Sequence, residues 1–436
     1  MADVYKGMKT VSFETLGCRL NQYDTQWLRD EFKLKGFKIV NSNDNADVYV
    51  LNTCTVTSKA SREARNLIRT QVRKSSKPFI IVTGCYAKIY SHEIEAIPGV
   101  NLIEPNPKKI VTNYLHVPLL HSIKTFESHI KAFIKIQEGC DQFCSYCVVP
   151  YTRGAPKSRS KKEIINEIKI LATNGYTEFV LTGTNLGKYD GLLRLIESIE
   201  KIPDVHRLGL GSIEPIGISD TLLDFISNSP KFSRYFHIPL QSGNNDILKK
   251  MERWYTAEDY EELLERITER VPEAAIGADV IVGFPGEGET EFQNTYDLIS
   301  RLPVSRLHVF RYSKRPGTKA AEFKSEVPEE IKKKRSKMLR ELGNTKWEKY
   351  RARFIGKILE VHVESRLLVG LLSHGYSVGV TSNYIKVLFK YPKDTCLPAP
   401  SRFACRSGAG KISGKFVKIK IQDVDTSNTY GELVNQ

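Results

Sequence analysis

Residues 139–147 read Gly-Cys-Asp-Gln-Phe-Cys-Ser-Tyr-Cys, and this stretch carries three of the eight cysteines, Cys140, Cys144 and Cys147. A cubane iron–sulfur cluster has four irons and usually takes four cysteine ligands. The Cys-x3-Cys-x2-Cys spacing supplies three, which leaves one iron open for a chelating substrate. The alternative is a structural zinc site, which needs four nitrogen or sulfur ligands. The sequence offers no other Cys or His between this stretch and His206, so the iron–sulfur cluster is favoured.

The stretch follows the first of six strand-like runs that alternate with helical segments such as Lys161–Ala172 and Gly191–Lys201. Six βα units over residues 130–353 predict an α/β domain with a partial (β/α)6 barrel. Sites on such barrels form at the carboxyl ends of the strands. The predicted strands are Phe133–Gln137, Glu178–Leu181, Arg207–Gly211, Tyr235–Pro239, Ile276–Val282 and Arg306–Phe310.

The spacing of the three cysteines is similar to the signature of the radical S-adenosylmethionine (SAM) superfamily. That resemblance implies that the open iron binds the amino and carboxylate groups of SAM. It also implies that one electron from the cluster cleaves SAM to a 5′-deoxyadenosyl radical. Candidate SAM contacts are the aromatic residue before the third cysteine and polar or glycine residues at later strand ends. They are Tyr146, Thr182, Gly183, Ser212, Glu214, Gln241, Arg253 and Asp279.

Upstream, residues 9–116 predict an open parallel sheet with covering helices, including Asp24–Lys35 and Ser58–Arg73. Three further cysteines each sit at or just past the end of a predicted strand of this sheet. Ligands of parallel sheets bind beyond the carboxyl ends of the strands, so three neighbouring strands would bring the thiols together. This predicts a second metal site, whereas the alternative is three buried structural cysteines. The strands are Val11–Leu16, Asp47–Asn52 and Phe79–Thr83, and the cysteines are Cys18, Cys54 and Cys85.

Downstream, residues 327–353 predict a charged helix that carries the basic run 332–335. That run can be a solvated helix face or an RNA contact. Residues 354–433 predict a small β-barrel spaced with Lys and Arg. Its remaining cysteines, Cys396 and Cys405, are expected to be structural. The predicted strands are Lys357–Glu364, Leu367–Leu371, Tyr384–Phe389 and Phe416–Gln422, and the basic residues are Lys357, Lys386, Lys390, Arg402, Lys411, Lys415, Lys418 and Lys420.

The composition indicates a chain with a polyanionic partner. Lys and Arg number 65 against 50 Asp and Glu, a net charge of +15. Such an excess suggests nucleic acid, although a merely soluble basic surface would give the same balance. The start of the chain has no apolar signal core, and no run approaches the length of a membrane span. Eight cysteines in such a chain favour reduced thiols used as ligands, so a cytoplasmic location is expected.

Motifs in all three parts together resemble the radical SAM methylthiotransferase family. Residues 17–23, 52–57 and 83–86 look like its amino-terminal domain, residues 137–154 like its radical SAM core, and the terminal barrel like its RNA-binding TRAM domain. Residues 307–318 and 379–387 resemble the branch that acts on threonylcarbamoyladenosine in tRNA. Pro316 and Arg19 depart from that branch, since a small polar residue and Lys are expected there.

The resemblance implies two 4Fe–4S clusters, one on each cysteine triplet, and two SAM molecules per turnover. One SAM would methylate a sulfur on the auxiliary cluster held by Cys18, Cys54 and Cys85. The radical from the second would attack C2 of the modified adenine beside the anticodon, where the methylthio group couples. The partners implied are the tRNA anticodon loop, an electron-donating reductant and a source of sulfur. A base in a loop is the easiest to unstack and reach.

Three other functions stay open at the level of sequence. A methylthiotransferase for the isopentenylated tRNA base shares all six cysteines. A methylthiotransferase for a ribosomal-protein side chain tends to have a more acidic carboxyl-terminal domain. A non-enzymatic zinc-bearing RNA-binding protein would be colourless and free of sulfide.

Overall fold

Three units follow one another along the chain, and the computed structural model describes residues 7–74, 76–117, 119–120, 122–126, 129–364, 376–390 and 414–434 of them. They are an amino-terminal parallel sheet, a six-stranded partial barrel and a closed five-stranded β-barrel. This order confirms the predicted fold class. Among the helices in those ranges, none combines the length and the apolarity that crossing a bilayer needs.

The amino-terminal sheet has five parallel strands in the order β2-β1-β3-β4-β5. Its central strand β3 is buried along its whole length, as a parallel strand with helices on both faces should be. The strands are β1 (Thr10–Thr15), β2 (Lys38–Ile39), β3 (Val48–Thr53), β4 (Phe79–Gly84) and β5 (Leu102–Ile103). The helices are α1 (Arg19–Leu34), α2 (Ser58–Val72), α3 (Cys85–Ile89), α4 (Ser91–Glu95) and α5 (Pro107–Ile110).

Prediction and structure agree on the three main strands to within a residue or two, but α1 begins earlier than predicted. The predicted helix starts at Asp24, whereas α1 starts at Arg19, directly after Cys18. The first turn of α1 is polar, so the apolar pattern of the sequence does not mark it as helix. Its residues Asn21 and Asp24 are nevertheless buried. The helix therefore fixes the direction in which Cys18 leaves the sheet.

The middle unit contains the six predicted strands, in two three-stranded parallel sheets joined by isolated parallel bridges. The six strands are β6 (Ala132–Lys135), β9 (Glu178–Thr182), β10 (Arg207–Leu210), β11 (Tyr235–His237), β12 (Ala275–Val282) and β13 (Arg306–Arg311), and a small hairpin pairs β7 (Gln137–Glu138) with β8 (Lys157–Ser158). The helices are α6 (Val149–Arg153), α7 (Lys161–Thr173), α8 (Leu192–Glu200), α9 (Asp220–Asn228), α10 (Asn245–Lys250), α11 (Ala257–Arg270), α12 (Glu289–Arg301) and α13 (Glu329–Ala352).

The basic run on α13 is only partly a surface feature. Lys333 and Lys334 are exposed, but Arg335 is buried and pairs with Glu287 at 2.7 Å. Lys332 lies with its Nζ 5.5 Å from the ring of Tyr312. Two of the four cations thus belong to packing inside the middle unit.

The carboxyl-terminal unit is a closed barrel in the order β14-β15-β16-β18-β17. The predicted strand Tyr384–Phe389 is partly wrong, because Tyr384 has φ 62° in a turn between β15 and β16. The predicted strand Leu367–Leu371 and the residues Cys396, Cys405, Arg402 and Lys411 lie outside the described residues. The strands are β14 (Ile358–Glu364), β15 (Tyr376–Thr381), β16 (Lys386–Lys390), β17 (Phe416–Val424) and β18 (Thr429–Leu433).

This barrel packs against the amino-terminal ends of the middle unit's strands. Glu178 at the start of β9 accepts a hydrogen bond from His362 at 2.5 Å, and both side chains are buried. Arg207 at the start of β10 donates to the carbonyl of Val380 at 3.1 Å. Nearby cations, first Lys131, hold the pKa of Glu178 at about 2 despite its burial. The opposite, carboxyl-terminal ends of the strands therefore stay free for a site.

Arg351 ties the long helix α13 to the last turn of the carboxyl-terminal barrel. It is buried and donates to the carbonyls of Asn428 (2.6 Å), Asp425 (2.7 Å) and Thr426 (3.1 Å). Arg351→Met would leave these carbonyls without their donor, so we expect the free energy of unfolding to fall by about 3 kcal/mol. Urea unfolding followed by tryptophan fluorescence measures the loss, with Lys337→Met, on the exposed face of α13, as the unaffected control. Equal losses in the two variants would contradict this role for Arg351.

Candidate cluster and cofactor site

The three dispersed cysteines come together at the carboxyl edge of the amino-terminal sheet. Cys18 caps the start of α1, Cys54 follows β3 and Cys85 opens α3 directly after β4. These strands are neighbours, with Thr15 in register with Asn52 and Thr53 in register with Gly84. The predicted meeting of three thiols at one edge thus has the required strand order.

Gly17 allows the close approach of two of these cysteines. Its φ is +110°, and a Cβ added there would lie 2.7 Å from the Cβ of Cys54 and 3.1 Å from its Sγ. A side chain at position 17 would therefore occupy the space beside the Cys54 thiol. The Leu-Gly-Cys motif has a steric reason here, in addition to the turn that the glycine makes.

The dispersed thiols differ in burial, since Cys54 is buried, Cys85 is half-buried and Cys18 is exposed. Burial raises the pKa of Cys54 to about 11, and the neighbouring Cys85 and Cys18 raise it further. Burial likewise raises the pKa of Cys85. Without metal such thiols stay protonated at neutral pH, and a metal must displace their protons to bind. A set of three soft sulfur donors near one another fits an iron–sulfur cluster with an open iron.

A cation from the middle unit lies against this group. Arg153, on α6 just after the clustered cysteines, lies close enough to Cys85 for its positive charge to lower the pKa of that thiol against the effect of burial. Arg153 also donates to Asn21 at 2.5 Å and to Glu138 at 2.5 Å. Its positive charge offsets the negative charge of thiolates bound to a metal. α6 directly follows the clustered cysteines and packs against α3, which Cys85 opens, so one short helix lies next to both triplets.

The clustered cysteines lie in a loop that backbone contacts hold tightly. Cys140 N–H donates to the carbonyl of Gly154 at 3.0 Å, and Cys147 N–H donates to that of Cys144 at 2.9 Å. Gly139 has φ +85°, and a Cβ there would lie 2.1 Å from the carbonyl oxygen of Ala155. Only glycine fits at that position, so the residue before Cys140 sets the course of the loop.

Burial raises the pKa of Cys147 to about 12, and the adjacent Cys144 and Cys140 add to the shift. The pKa of Cys144 is raised by burial too, and the positive charge of Arg253 opposes that rise. Three thiols that influence one another's ionisation inside one loop again fit an open iron–sulfur cluster.

Arg253 joins two of the predicted SAM contacts to the clustered cysteines. Its guanidinium donates to Sγ of Cys144 at 3.2 Å and to Tyr255 at 3.2 Å, and it forms an ion pair with Glu214. Tyr146 lies close enough for its charge to affect Arg253, and its ring meets Phe284 edge-on at 6.4 Å. The structure thus gathers Glu214, Arg253 and Tyr146 around the thiols.

Four other predicted contacts line the strand ends at the same edge. A Cβ on Gly183 would lie 3.0 Å from Oε1 of Gln137, so this glycine permits close packing after β9. Thr182 is buried at the end of β9, and Ser212 is exposed and bridges to His237. Gln241 has φ +66° and donates its N–H to the carbonyl of Asp279 at 2.8 Å.

Asp279, another predicted contact, lies between two histidines. Its two carboxylate oxygens contact two imidazoles, Nε2 of His237 at 3.1 Å and Nδ1 of His308 at 3.2 Å. Tyr235 hydrogen-bonds the other ring nitrogen of His237 at 3.1 Å. The histidines hold the pKa of Asp279 well below its ordinary value although burial opposes this. The three ligand atoms lie within 4.8 Å of one another, a spacing that a divalent cation would also accept.

This cluster of His237, Asp279 and His308 faces the inside of the partial barrel. The neighbours of Asp279 on β12, Ala278 and Val280, belong to the core beneath the outer helices. Because side chains alternate along a strand, Asp279 points to the opposite face of the sheet. His308 lies beside it in register on β13 and is 44% exposed. Sequence reasoning missed both histidines as site residues. The signal that could have found them is their place on the two neighbouring strands, on the same face as Asp279.

Comparisons with known proteins agree with this architecture. Residues 10–103 match the "Uncharacterized protein family UPF0004", and residues 134–299 match the "Radical SAM superfamily". The chain is 39% identical to the threonylcarbamoyladenosine tRNA methylthiotransferase MtaB of Aquifex aeolicus, over 86% of this chain and 96% of that protein. It is 35% identical to the protein of the same name from Bacillus subtilis, over 98% and 97%.

A second group of relatives carries a different name. The chain is 34% identical to the tRNA-2-methylthio-N(6)-dimethylallyladenosine synthase of Protochlamydia amoebophila, over 83% of this chain and 87% of that protein. Among solved structures, the radical S-adenosylmethionine methyltransferase TsrM of Kitasatospora setae aligns with a TM-score of 0.55 at 14% identity. That alignment covers 72% of this chain and 77% of TsrM, and it indicates a shared fold.

Proposed function

The chain belongs to the radical SAM methylthiotransferase family, and from that premise we propose that it methylthiolates C2 of N6-threonylcarbamoyladenosine next to the anticodon of tRNA. The observation that carries the proposal is that one cysteine triplet directly precedes α6, while the other lies at the sheet edge where α3, which Cys85 opens, packs against α6. A single cluster would suffice to cleave SAM, whereas insertion of sulfur needs a second site nearby. Acting on tRNA, the protein would work in the cytoplasm with a reductant and a sulfur source.

Each triplet would hold one 4Fe–4S cluster in this proposal. Cys140, Cys144 and Cys147 would bind the cluster that takes SAM, and Cys18, Cys54 and Cys85 would bind the auxiliary one. When bound, these groups and SAM supply the radical chemistry and the methylthio group. The protein would hold them at the carboxyl ends of strands, with one buried cysteine in each triplet, Cys54 and Cys144. Arg153 supplies positive charge at the auxiliary site.

The chain's own groups would also seat SAM. Arg253 contacts the thiol of Cys144 and is paired with Glu214. The two side chains together place an oriented pair of opposite charges beside the clustered thiols. Tyr146 offers an aromatic face next to the third cysteine. Gly183, after β9, allows a ligand to approach the backbone closely. Thr182, Ser212 and Gln241 would add polar contacts at the same strand ends.

The carboxyl-terminal barrel would bind the phosphate backbone of tRNA. Exposed lysines project from its strands β16 and β17, and the whole chain carries a net charge of +15. Contacts of this kind release counterions, so the affinity for tRNA should fall steeply with salt. The described lysines that would contribute are Lys357, Lys386, Lys390, Lys415, Lys418 and Lys420.

The cluster of His237, Asp279 and His308 favours the threonylcarbamoyl base over the isopentenylated one. A threonylcarbamoyl group carries a carboxylate, a hydroxyl and amide groups, whereas an isopentenyl group is wholly apolar. Nε2 of His308 makes no hydrogen bond within the part of the chain that the structure describes. With Asp279 on the other ring nitrogen, Nε2 of His308 can hydrogen-bond a polar atom of the threonylcarbamoyl group. An apolar group there would leave this nitrogen without a partner.

We therefore expect His308→Leu to lower kcat/KM on threonylcarbamoylated tRNA by about tenfold, the worth of one hydrogen bond. Single-turnover assays on purified tRNA, with nucleosides measured by mass spectrometry, give this ratio. His308→Gln keeps a polar atom and should lose less. His92→Leu, an exposed histidine on α4, is the matched control and should lose nothing. Full activity of His308→Leu would remove this argument for the polar base.

The test of the function is nucleoside mass spectrometry of total tRNA from cells with and without the gene. Loss of the methylthio form, with accumulation of its threonylcarbamoyl precursor, would support the proposal. Loss of the methylthio form of the isopentenylated base would replace it with that activity. No change in either nucleoside would overturn both and shift weight to a protein substrate.

A further inference from the structure

Large exposed apolar side chains gather beside the cluster loops. Phe143, between two of the clustered cysteines, is 53% exposed, Tyr151 on α6 is 48% exposed, and Trp254, directly after Arg253, is 52% exposed. Scattered single apolar residues on a surface are ordinary, but a group of large aromatics at one place marks an interaction site. These three come from segments that meet at the carboxyl edge of the partial barrel.

The aromatic residues belong to one contiguous surface. The rings of Phe143 and Tyr151 meet edge-on with their centroids 5.9 Å apart. Lys188 has its Nζ 5.5 Å from the ring of Trp254 and 3.6 Å from Oδ1 of Asp141, two residues before Phe143. We call the surface formed by Phe143, Tyr151, Trp254 and Lys188 the aromatic rim.

The backbone holds one member of the rim outward at a cost. Phe143 has φ +46°, a left-handed conformation that is uncommon for a bulky residue. A folded chain keeps such strain where the surrounding structure demands it, and it clusters at functional sites. The ring is half-exposed. Burying it would leave the backbone strain at Phe143 unchanged. The left-handed conformation therefore either keeps the ring exposed or sets the course of the cluster loop. In both cases the ring lies at the mouth of the site.

From these observations we propose that the aromatic rim stacks unpaired bases of an RNA loop that flank the base under modification. The inference rests on the proposed function, since it takes tRNA as the partner and supplies the surface that receives its loop. Unstacked bases of RNA loops are bound on aromatic faces, and each stack is worth about as much as a good hydrogen bond. Lys188 over Trp254 adds the positive charge that a phosphate next to a stacked base requires, and the net charge of +15 suits a polyanion.

The surface fits an RNA loop better than an RNA duplex or a protein. A duplex hides its base faces, so half-exposed rings would have nothing to stack upon. A protein partner would be expected to cover an apolar patch whose polar residues lie at its edge. Here Lys188 lies directly at the face of the Trp254 ring. The rim also lies next to the loop that carries Cys140, Cys144 and Cys147, where a flipped base would have to arrive.

The experiment measures the affinity of the holoprotein for an unmodified anticodon stem–loop RNA and for a duplex RNA of the same length, across a series of salt concentrations. We expect the wild-type protein to prefer the stem–loop. Tyr151→Ala and Trp254→Ala should each weaken stem–loop binding about tenfold without changing the slope of log Kd against log salt. Lys188→Ala should instead reduce that slope by about one.

The controls separate a lost contact from a damaged fold. Trp254→Phe and Tyr151→Phe keep a stacking face and should bind nearly as well as the wild type. Leu34→Ala removes an equally exposed apolar side chain (53%) at the far end of α1, away from the strand ends, and should change nothing. Iron and sulfide content and the melting temperature of each variant report whether it is intact.

The outcomes distinguish this inference from the function on which it rests. Alanine variants that are intact and bind the stem–loop as tightly as the wild type would overturn it, even if the enzyme methylthiolates tRNA normally; the rim would then be left to a protein contact. Equal wild-type affinity for the loop and the duplex would overturn it as well. Weakened loop binding by the variants would uphold it, even if the modified base proved to be the isopentenylated one.

Discussion

Cys54→Ala is expected to leave cleavage of SAM intact and to abolish formation of the methylthio product. Cys54 lies at the carboxyl end of β3, among the dispersed thiols and away from the loop that carries Cys140, Cys144 and Cys147. Its loss takes one of three ligands from the proposed auxiliary cluster, while the SAM-binding cluster keeps all of its own. Because the two sites have separate ligands, the two activities should separate.

The measurements are iron and sulfide content, 5′-deoxyadenosine released from SAM under reduction, and methylthio nucleoside formed on tRNA. We expect about four irons fewer per chain, wild-type release of 5′-deoxyadenosine and no methylthio product. Cys396→Ala serves as the control, since this cysteine lies outside both triplets in the sequence. A Cys54→Ala protein that still made the methylthio product would show that the dispersed triplet holds no sulfur-donating cluster.

The sequence reveals the meeting of the dispersed cysteines because it depends on a repeated pattern. Cys18, Cys54 and Cys85 each follow an apolar run that reads as a strand, and parallel strands bring their carboxyl ends to one edge. The prediction needs the strand order to place the three strands side by side, and the order β1-β3-β4 does so. Local signals were therefore sufficient to predict the sheet edge at which the three cysteines lie, and the metal site there stays a prediction.

The position of Arg153 depends on contacts that no local pattern contains. Its partner Asn21 lies 132 residues away in sequence, in the first turn of α1. Nothing near Arg153 distinguishes it from the other arginines of a strongly basic chain. The same holds for Arg335, which reads as part of a surface run but is buried against Glu287. Charge on a sequence indicates neither burial nor partner, because long-range packing decides both.

Turns between strands were a second source of error. The run from Tyr384 to Phe389 reads as one strand, since its residues are apolar or β-branched with a single lysine. In the structure Tyr384 takes a left-handed turn, with its ring stacked on Tyr235 at 4.3 Å. Packing of that ring against the middle unit outweighs the preference of tyrosine for extended backbone. The turn signal in the sequence is Asn383, directly before Tyr384, and the strand begins only at Lys386.

Cys144→Ala is expected to have the largest effect of all, a loss of both SAM cleavage and methylthio product. Cys144 is the middle ligand of the clustered loop, is buried, and accepts a hydrogen bond from Arg253 at 3.2 Å. An alanine there removes one of only three ligands, since the fourth iron is left for SAM. The alanine also removes the sulfur that Arg253 contacts. The ion pair of Arg253 with Glu214 then has no hydrogen bond to this cysteine.

The result is read against Cys54→Ala, which removes the same number of irons from the other site. Both variants should contain about four irons per chain, yet only Cys144→Ala should fail to release 5′-deoxyadenosine. The wild-type protein and Cys396→Ala should contain about eight. Two triplets that held zinc would give colourless variants with no sulfide and no difference between them. Equal iron loss with opposite effects on SAM cleavage would therefore establish that the triplets hold two clusters with different tasks.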